Sequence, residues 1–129
     1  MVNDVKQVIV MRTDTDPPMR KGKMCAQAAH ASLAFITRRI PGDSNSCTLK
    51  LKDPELKWLN GSFTKVCVRV DSEHELMEIY HKAQTAGLEV HIVKDSGKTE
   101  FKEPTFTCMA IGPDYSSKID PITGHLKLL

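Results

Sequence analysis

Two short segments of this chain hold residue types able to do chemistry. In the first, Lys23, Gln27 and His30 are spaced i, i+4, i+7, so a helix would place them within about 60° of one another. An ammonium, an amide and an imidazole on one stripe can bind an anion, donate to an oxyanion and move a proton. Thr37 and Arg38 extend the stripe, and apart from Ser32 the other positions from Met24 to Ile36 are apolar or small. Such a helix packs on most sides and exposes this stripe, either as a solvated face or as one wall of a site. The second segment is Asp95-Ser96-Gly97-Lys98-Thr99, with Thr105 and Thr107 on one face of the strand that follows. Asp95 and Gly97 suit a turn in which the carboxylate caps the backbone and glycine takes positive φ. On its own the segment reads as a turn, and Asp95 becomes a candidate for a site only through its neighbours in the fold.

Other chemistries are excluded by spacing. Gly22-Lys23 lacks the upstream glycine of a phosphate-binding loop, Pro17 standing in its place, and Met24 occupies the position of the magnesium-binding hydroxyl. Cys25 and His30 lie about 140° apart around a helix, so they cannot form a thiol–imidazole pair, and Cys25 is expected to be a buried structural thiol. The five histidines come with no CxxC pair and no HExxH, so no metal is expected. No G-x-S-x-G elbow is present.

The elements that must position these residues follow from hydrophobic pattern and punctuation. Val5 to Met11 is apolar and β-branched, as a strand covered on both faces would be. Pro17-Pro18 interrupts, a helix is predicted from Lys21 to Arg39, and Pro41-Gly42 ends it. The stretch from Asp43 to Asn60 is undecided surface in which Pro54 could open a short helix. Phe63 to Val70 alternates as a strand. Ser72 and Glu75 have capping-box spacing for a helix ending at Gly87. Strands are predicted at Leu88 to Lys94 and at about Thr105 to Ile111, with Gly112-Pro113 stopping the last. Two crossovers imply three parallel strands, and the short link implies an antiparallel fourth. The expected fold is α/β, with helices on both faces of a four-stranded mixed sheet. The loops bearing Lys23 and Asp95 both follow carboxyl ends of parallel strands, so they share one rim.

With 129 residues and 26% charged content, the chain is expected to form one domain, 1–129, able to bury a core without staples. The net charge of +2 hides an asymmetry: residues 1–40 hold seven basic and three acidic residues, so this third is expected to meet an anion. No secretory signal and no membrane-length apolar run are seen, so the four cysteines are expected to stay reduced in the cytoplasm.

Several blocks together resemble the type 2 peptidyl-tRNA hydrolases, the archaeal and eukaryotic kind. They are Val8-Ile9-Val10-Met11-Arg12-Thr13-Asp14, the run from Lys21 to Ala31, Asp95-Ser96-Gly97-Lys98-Thr99, Ala110-Ile111-Gly112-Pro113 and Ile122-Thr123-Gly124-His125-Leu126-Lys127-Leu128. The resemblance implies a three-layer α/β/α sandwich on a four-stranded mixed sheet, often dimeric, that cleaves the ester joining a peptide to the 3′ ribose of tRNA. It implies no metal or organic cofactor. The functional lysine falls on Lys23, the aspartate on Asp95 and the two threonines on Thr99 and Thr107, with Gln27 and His30 in support. Arg20, Lys21, Arg38, Arg39 and Lys98 would grip tRNA phosphates. A catalytically silent RNA- or protein-binding relative, or a hydrolase of another ester or amide, would share these features.

Overall fold

The apolar run after Asp4 forms β1 (Val5–Arg12), almost wholly buried as its composition requires. The computed structural model describes residues 4–97 and 101–129. After β1 come α1 (Lys21–Thr37), α2 (Asp53–Asn60), β2 (Lys65–Val70), α3 (Glu73–Thr85), β3 (Val90–Asp95), β4 (Thr105–Tyr115), α4 (Ser116–Thr123) and β5 (Lys127–Leu128). As the capping-box spacing predicts, the Ser72 hydroxyl accepts the Glu75 N–H at 3.0 Å and starts α3.

These strands form one mixed sheet in the order β3-β4-β1-β2-β5. β2 runs parallel to β1, and β4 lies antiparallel between β1 and β3, so β1, β2 and β3 share one direction. The sheet has five strands rather than the expected four, because Lys127–Leu128 adds antiparallel to Val68 and Arg69. Two residues carry no readable periodicity. β4 also runs on through Gly112-Pro113, where a stop was expected. There Gly112 adopts φ +91 and the facing register shifts between Lys6 and Val8, a bulge that admits a proline. α4, interrupted in pattern by Pro121, follows directly.

Alternation along β1 sends side chains to opposite faces. Val8 and Val10 join Val68, Val70, Leu76, Ile79 and Ile119 under α3 and α4. Ile9 and Met11 join Ala31, Val93, Cys108 and Ala110 under α1. The segment read as undecided surface contributes α2, anchored by Trp58, which is buried against Phe35 at 6.0 Å and donates its Nε1–H to the Thr64 carbonyl at 2.7 Å. Glu55 of α2 is fully buried. Arg39 donates to its two carboxylate oxygens at 2.9 and 2.7 Å, and the Lys52 N–H donates at 2.8 Å. Arg39 also pairs with Glu89. Burial opposes the Glu55 charge, but the Arg39 and Lys52 hydrogen bonds outweigh it and hold its pKa below the ordinary value.

α1 is turned relative to the wheel read from sequence. Lys23 and Gln27 are half-buried against the sheet rim, whereas Cys25, Ala26, Ala29 and Leu33 face outward. Small residues on every side leave the wheel without a dominant apolar face. Over the strand ends it is the polar side chains of the rim that select Lys23 and Gln27. Cys25, expected to be buried, is therefore exposed; the buried thiol is Cys108, whose pKa burial pushes up to about 12 against a Thr107 hydrogen bond that lowers it. Among the described residues no helix is long and apolar enough to cross a membrane.

Candidate active site

α1 begins at the carboxyl-terminal end of β1, after the loop through Thr15 and Met19, both buried. Its first turn holds no acidic residue and its N-cap, Arg20, offers no side-chain cap, so the positive end of the helix dipole stays available to an anion. Lys23 lies in that turn. Across the rim, β3 ends on Asp95, and Lys23 Nζ donates to Asp95 Oδ2 at 2.8 Å. The lysine side chain is 12% exposed and the aspartate 6%. The other carboxylate oxygen, Oδ1, accepts the Gly97 N–H at 2.9 Å. The turn expected around Asp95 is thus present, and the same carboxylate pairs with Lys23.

Gly97 is needed there for two reasons. Its φ is +82, and a Cβ would come within 2.8 Å of the Glu103 carbonyl carbon. The Lys23 ammonium also lies 4.8 Å from the centroid of the Phe101 ring.

Thr107 reaches the same rim through a bulge. Val93 pairs with Cys108 and Lys94 with Phe106, so Thr107 is the extra residue of β4. Its hydroxyl donates to Gln27 Oε1 at 2.6 Å, and the neighbouring Cys108 thiol donates to the Gln27 carbonyl at 3.4 Å. A regular strand would turn Thr107 and Cys108 to opposite faces; the bulge lets both contact α1. With its Oε1 taken, Gln27 retains an amide NH₂ as donor.

The expected set is brought together in part. Lys23 and Asp95 pair, and Gln27 and Thr107 pair one turn further along α1. His30 is exposed and forms no hydrogen bond or ion pair among the described residues. Thr99 and Lys98 lie outside the described residues. Arg20 and Lys21 are exposed at the start of α1. Arg38 and Arg39 sit at its far end, where Arg38 donates to the Ile92 carbonyl at 2.7 Å and contacts His91 Nδ1 at 3.1 Å, and Arg39 is held by Glu55 and Glu89. One rim pair escaped the sequence reading. Arg12 donates to both Asp14 oxygens at 3.0 and 2.9 Å and to the Phe106 carbonyl at 3.0 Å, just before Thr107. That hydrogen bond holds the Asp14 carboxyl below its usual range and raises the guanidinium. The i, i+2 spacing of Arg12 and Asp14 in an extended segment was its only signal. Among the described residues no group of three or more His, Cys, Asp or Glu could hold a metal ion.

A buried ammonium–carboxylate pair, with an amide–hydroxyl pair one turn further along α1, can orient a water and receive the charge of an oxyanion. The family model described as Peptidyl-tRNA hydrolase PTH2 matches residues 5–129. The chain belongs to this family. The peptidyl-tRNA hydrolase of Methanocaldococcus jannaschii is 44% identical over 128 residues, covering 97% of this chain and 100% of the relative. That of Methanothermobacter thermautotrophicus is 44% identical over 126 residues, with 97% and 100% coverage. The enzyme of Saccharolobus solfataricus is 40% identical over 125 residues, with 97% and 99% coverage. The peptidyl-tRNA hydrolase match therefore takes in both the α1 segment and the Asp95 loop.

Proposed function

We propose that this chain hydrolyses the ester between a peptide, or an N-blocked amino acid, and the 3′ ribose of tRNA. The observation that carries the reading is the buried Lys23–Asp95 pair at the shared rim of a chain similar, over nearly its whole length, to peptidyl-tRNA hydrolases. A water oriented by Asp95 attacks the carbonyl carbon. The oxyanion is met by Lys23, the C–O bond to the ribose breaks, and the ribose oxygen leaves carrying the proton lost by the water. Both Asp95 oxygens already accept hydrogen bonds, which suits orientation of the water better than outright abstraction of its proton. Thr107 holds Gln27 in place, Thr99 completes the network by the family pattern, and His30 flanks it.

The frame is a single domain, 1–129, read as a three-layer α/β/α arrangement; separate apolar clusters on the two sheet faces support this. Arg20 and Lys21 grip phosphates beside the α1 N-terminus, and Lys98 adds its charge to that grip. Arg38 and Arg39, about 25 Å away along the helix, add positive charge while engaged with their protein partners. The enzyme works in the cytoplasm, where its substrate arises. A homodimer is supported by a shallow apolar groove between α1 and the uncovered face of β2, lined by Cys25, Ala29, Leu33, Phe63 and Cys67.

The test compares release of the acyl group from N-acetyl-aminoacyl-tRNA with hydrolysis of small amino-acid esters. Turnover confined to the tRNA ester is expected. Turnover of small esters alone, or RNA binding without turnover, would contradict the reading. With two or three phosphate contacts, KM for the tRNA substrate should rise about tenfold or more between 50 and 200 mM salt. A flat response would remove the proposed grip.

A further inference from the structure

We infer that Phe101 is a positioning residue that holds the Lys23 ammonium in its working place, an inference that rests on the reaction proposed above. A lysine side chain has four rotatable bonds and ordinarily carries its ammonium out to water. Here the ammonium lies between the Asp95 carboxylate, 2.8 Å from Nζ, and the Phe101 ring, 4.8 Å to the centroid. The ring itself is fixed. Phe101 is 3% exposed and packs in the cluster that contains Met19, Val93 and Cys108, with Met24, the residue after Lys23, against it.

The face of an aromatic ring attracts a cation through its quadrupole, most strongly where water is excluded. This attraction suits an electrophilic lysine better than a second carboxylate would. Another anion would neutralise the charge that the oxyanion needs, whereas a ring restrains the ammonium and leaves its charge intact. Phe101 also ties the α1 side of the site to the chain beyond the Asp95 loop, so the two halves that carry Lys23 and Asp95 are held in register. Nothing in the spacing of residues 95–107 marks a ring at position 101 for this role.

The test replaces Phe101 with leucine and, in a second variant, with 3,4,5-trifluorophenylalanine, which keeps the ring's shape while withdrawing its π charge. Steady-state hydrolysis of N-acetyl-aminoacyl-tRNA and thermal melting are measured, with Lys23→Ala as control. The expected result is a fall in kcat of about fivefold to tenfold for Phe101→Leu, a smaller fall for the fluorinated ring, and KM within twofold of the parent. The fluorinated protein should melt as the parent does. Should the leucine variant fail to fold, the fluorinated ring decides alone. Parent-like kcat in the fluorinated protein would make Phe101 a core residue only and overturn the inference. Parent-like kcat/KM in Lys23→Ala would overturn the proposed reaction and this inference together, a result visible in the control arm whatever Phe101 does.

Discussion

Asp95→Asn should lower kcat/KM on N-acetyl-aminoacyl-tRNA by about 100-fold or more, with a melting temperature within a few degrees of the parent. The substitution is isosteric. It keeps an oxygen to accept the Gly97 N–H, now at 2.9 Å, so the turn that supports the loop persists. What is lost is the negative charge that pairs with Lys23 and, in the proposed reaction, orients the attacking water, a loss expected near the low end of the roughly 10²–10⁴ typical of groups that transfer the nucleophile's proton. In the proposed reaction Asp95 acts on the attacking water and not on the tRNA phosphates, so the loss should fall on kcat, with KM little changed. Single-turnover hydrolysis at saturating enzyme reads this directly. A variant within threefold of the parent would remove Asp95 from the mechanism.

The second large effect is on stability and lies away from the site. Arg39→Met should destabilise the protein by about 3 kcal/mol at neutral pH, because removing one partner of a buried ion pair strands the other. Glu55 is fully buried and accepts both Arg39 hydrogen bonds. The value sits at the low end of the usual range because Arg39 is 25% exposed and water can enter where it stood. A fall in melting temperature of about 10 °C follows for a domain of this size. The pH dependence has a definite sign. Since the folded-state pKa of Glu55 lies below the ordinary value of about 4.5, the pair's contribution is whole above that value and is lost as pH falls through the lower folded one. The deficit of Arg39→Met should therefore be largest near pH 7 and shrink in strongly acidic solution. Urea unfolding at pH 7 and below pH 4 measures both ends. Equal stabilities at pH 7 would show that the Arg39–Glu55 pair contributes nothing.

Arg39 also shows where sequence reading loses its grip. Arg38-Arg39 looks like a basic pair free for phosphate, and nothing local reveals that Glu55 and Glu89, distant in the chain, converge on it. β1, α3 and β3 were legible because a continuous apolar run, a capping-box serine and a glycine stop act over a few residues. The direction of β4 was legible from its short link to β3. Its passage through Gly112-Pro113 was not, since the bulge that admits the proline depends on β1 lying opposite. α4 and β5 were missed because Pro121 masks the helix and two residues make too short a strand to show a pattern. In the site, the shared rim of Lys23 and Asp95 followed from the ends of parallel strands. The outward face of α1 did not, because alanines and a cysteine give a helix no preferred side until the sheet beneath it is known. Phe101 was invisible for a related reason: a lone phenylalanine after a turn reads as core, and only its placement above the lysine distinguishes it.

Lys23 and Asp95 are proposed to act as one unit on the ester, and a double-mutant cycle tests this most directly. kcat/KM on N-acetyl-aminoacyl-tRNA is measured for the parent, Lys23→Ala, Asp95→Ala and the double variant. Groups that act as a unit give non-additive losses, so the double variant should be about as slow as the slower single one. Losses that multiply, or either single variant retaining parent activity, would contradict the account.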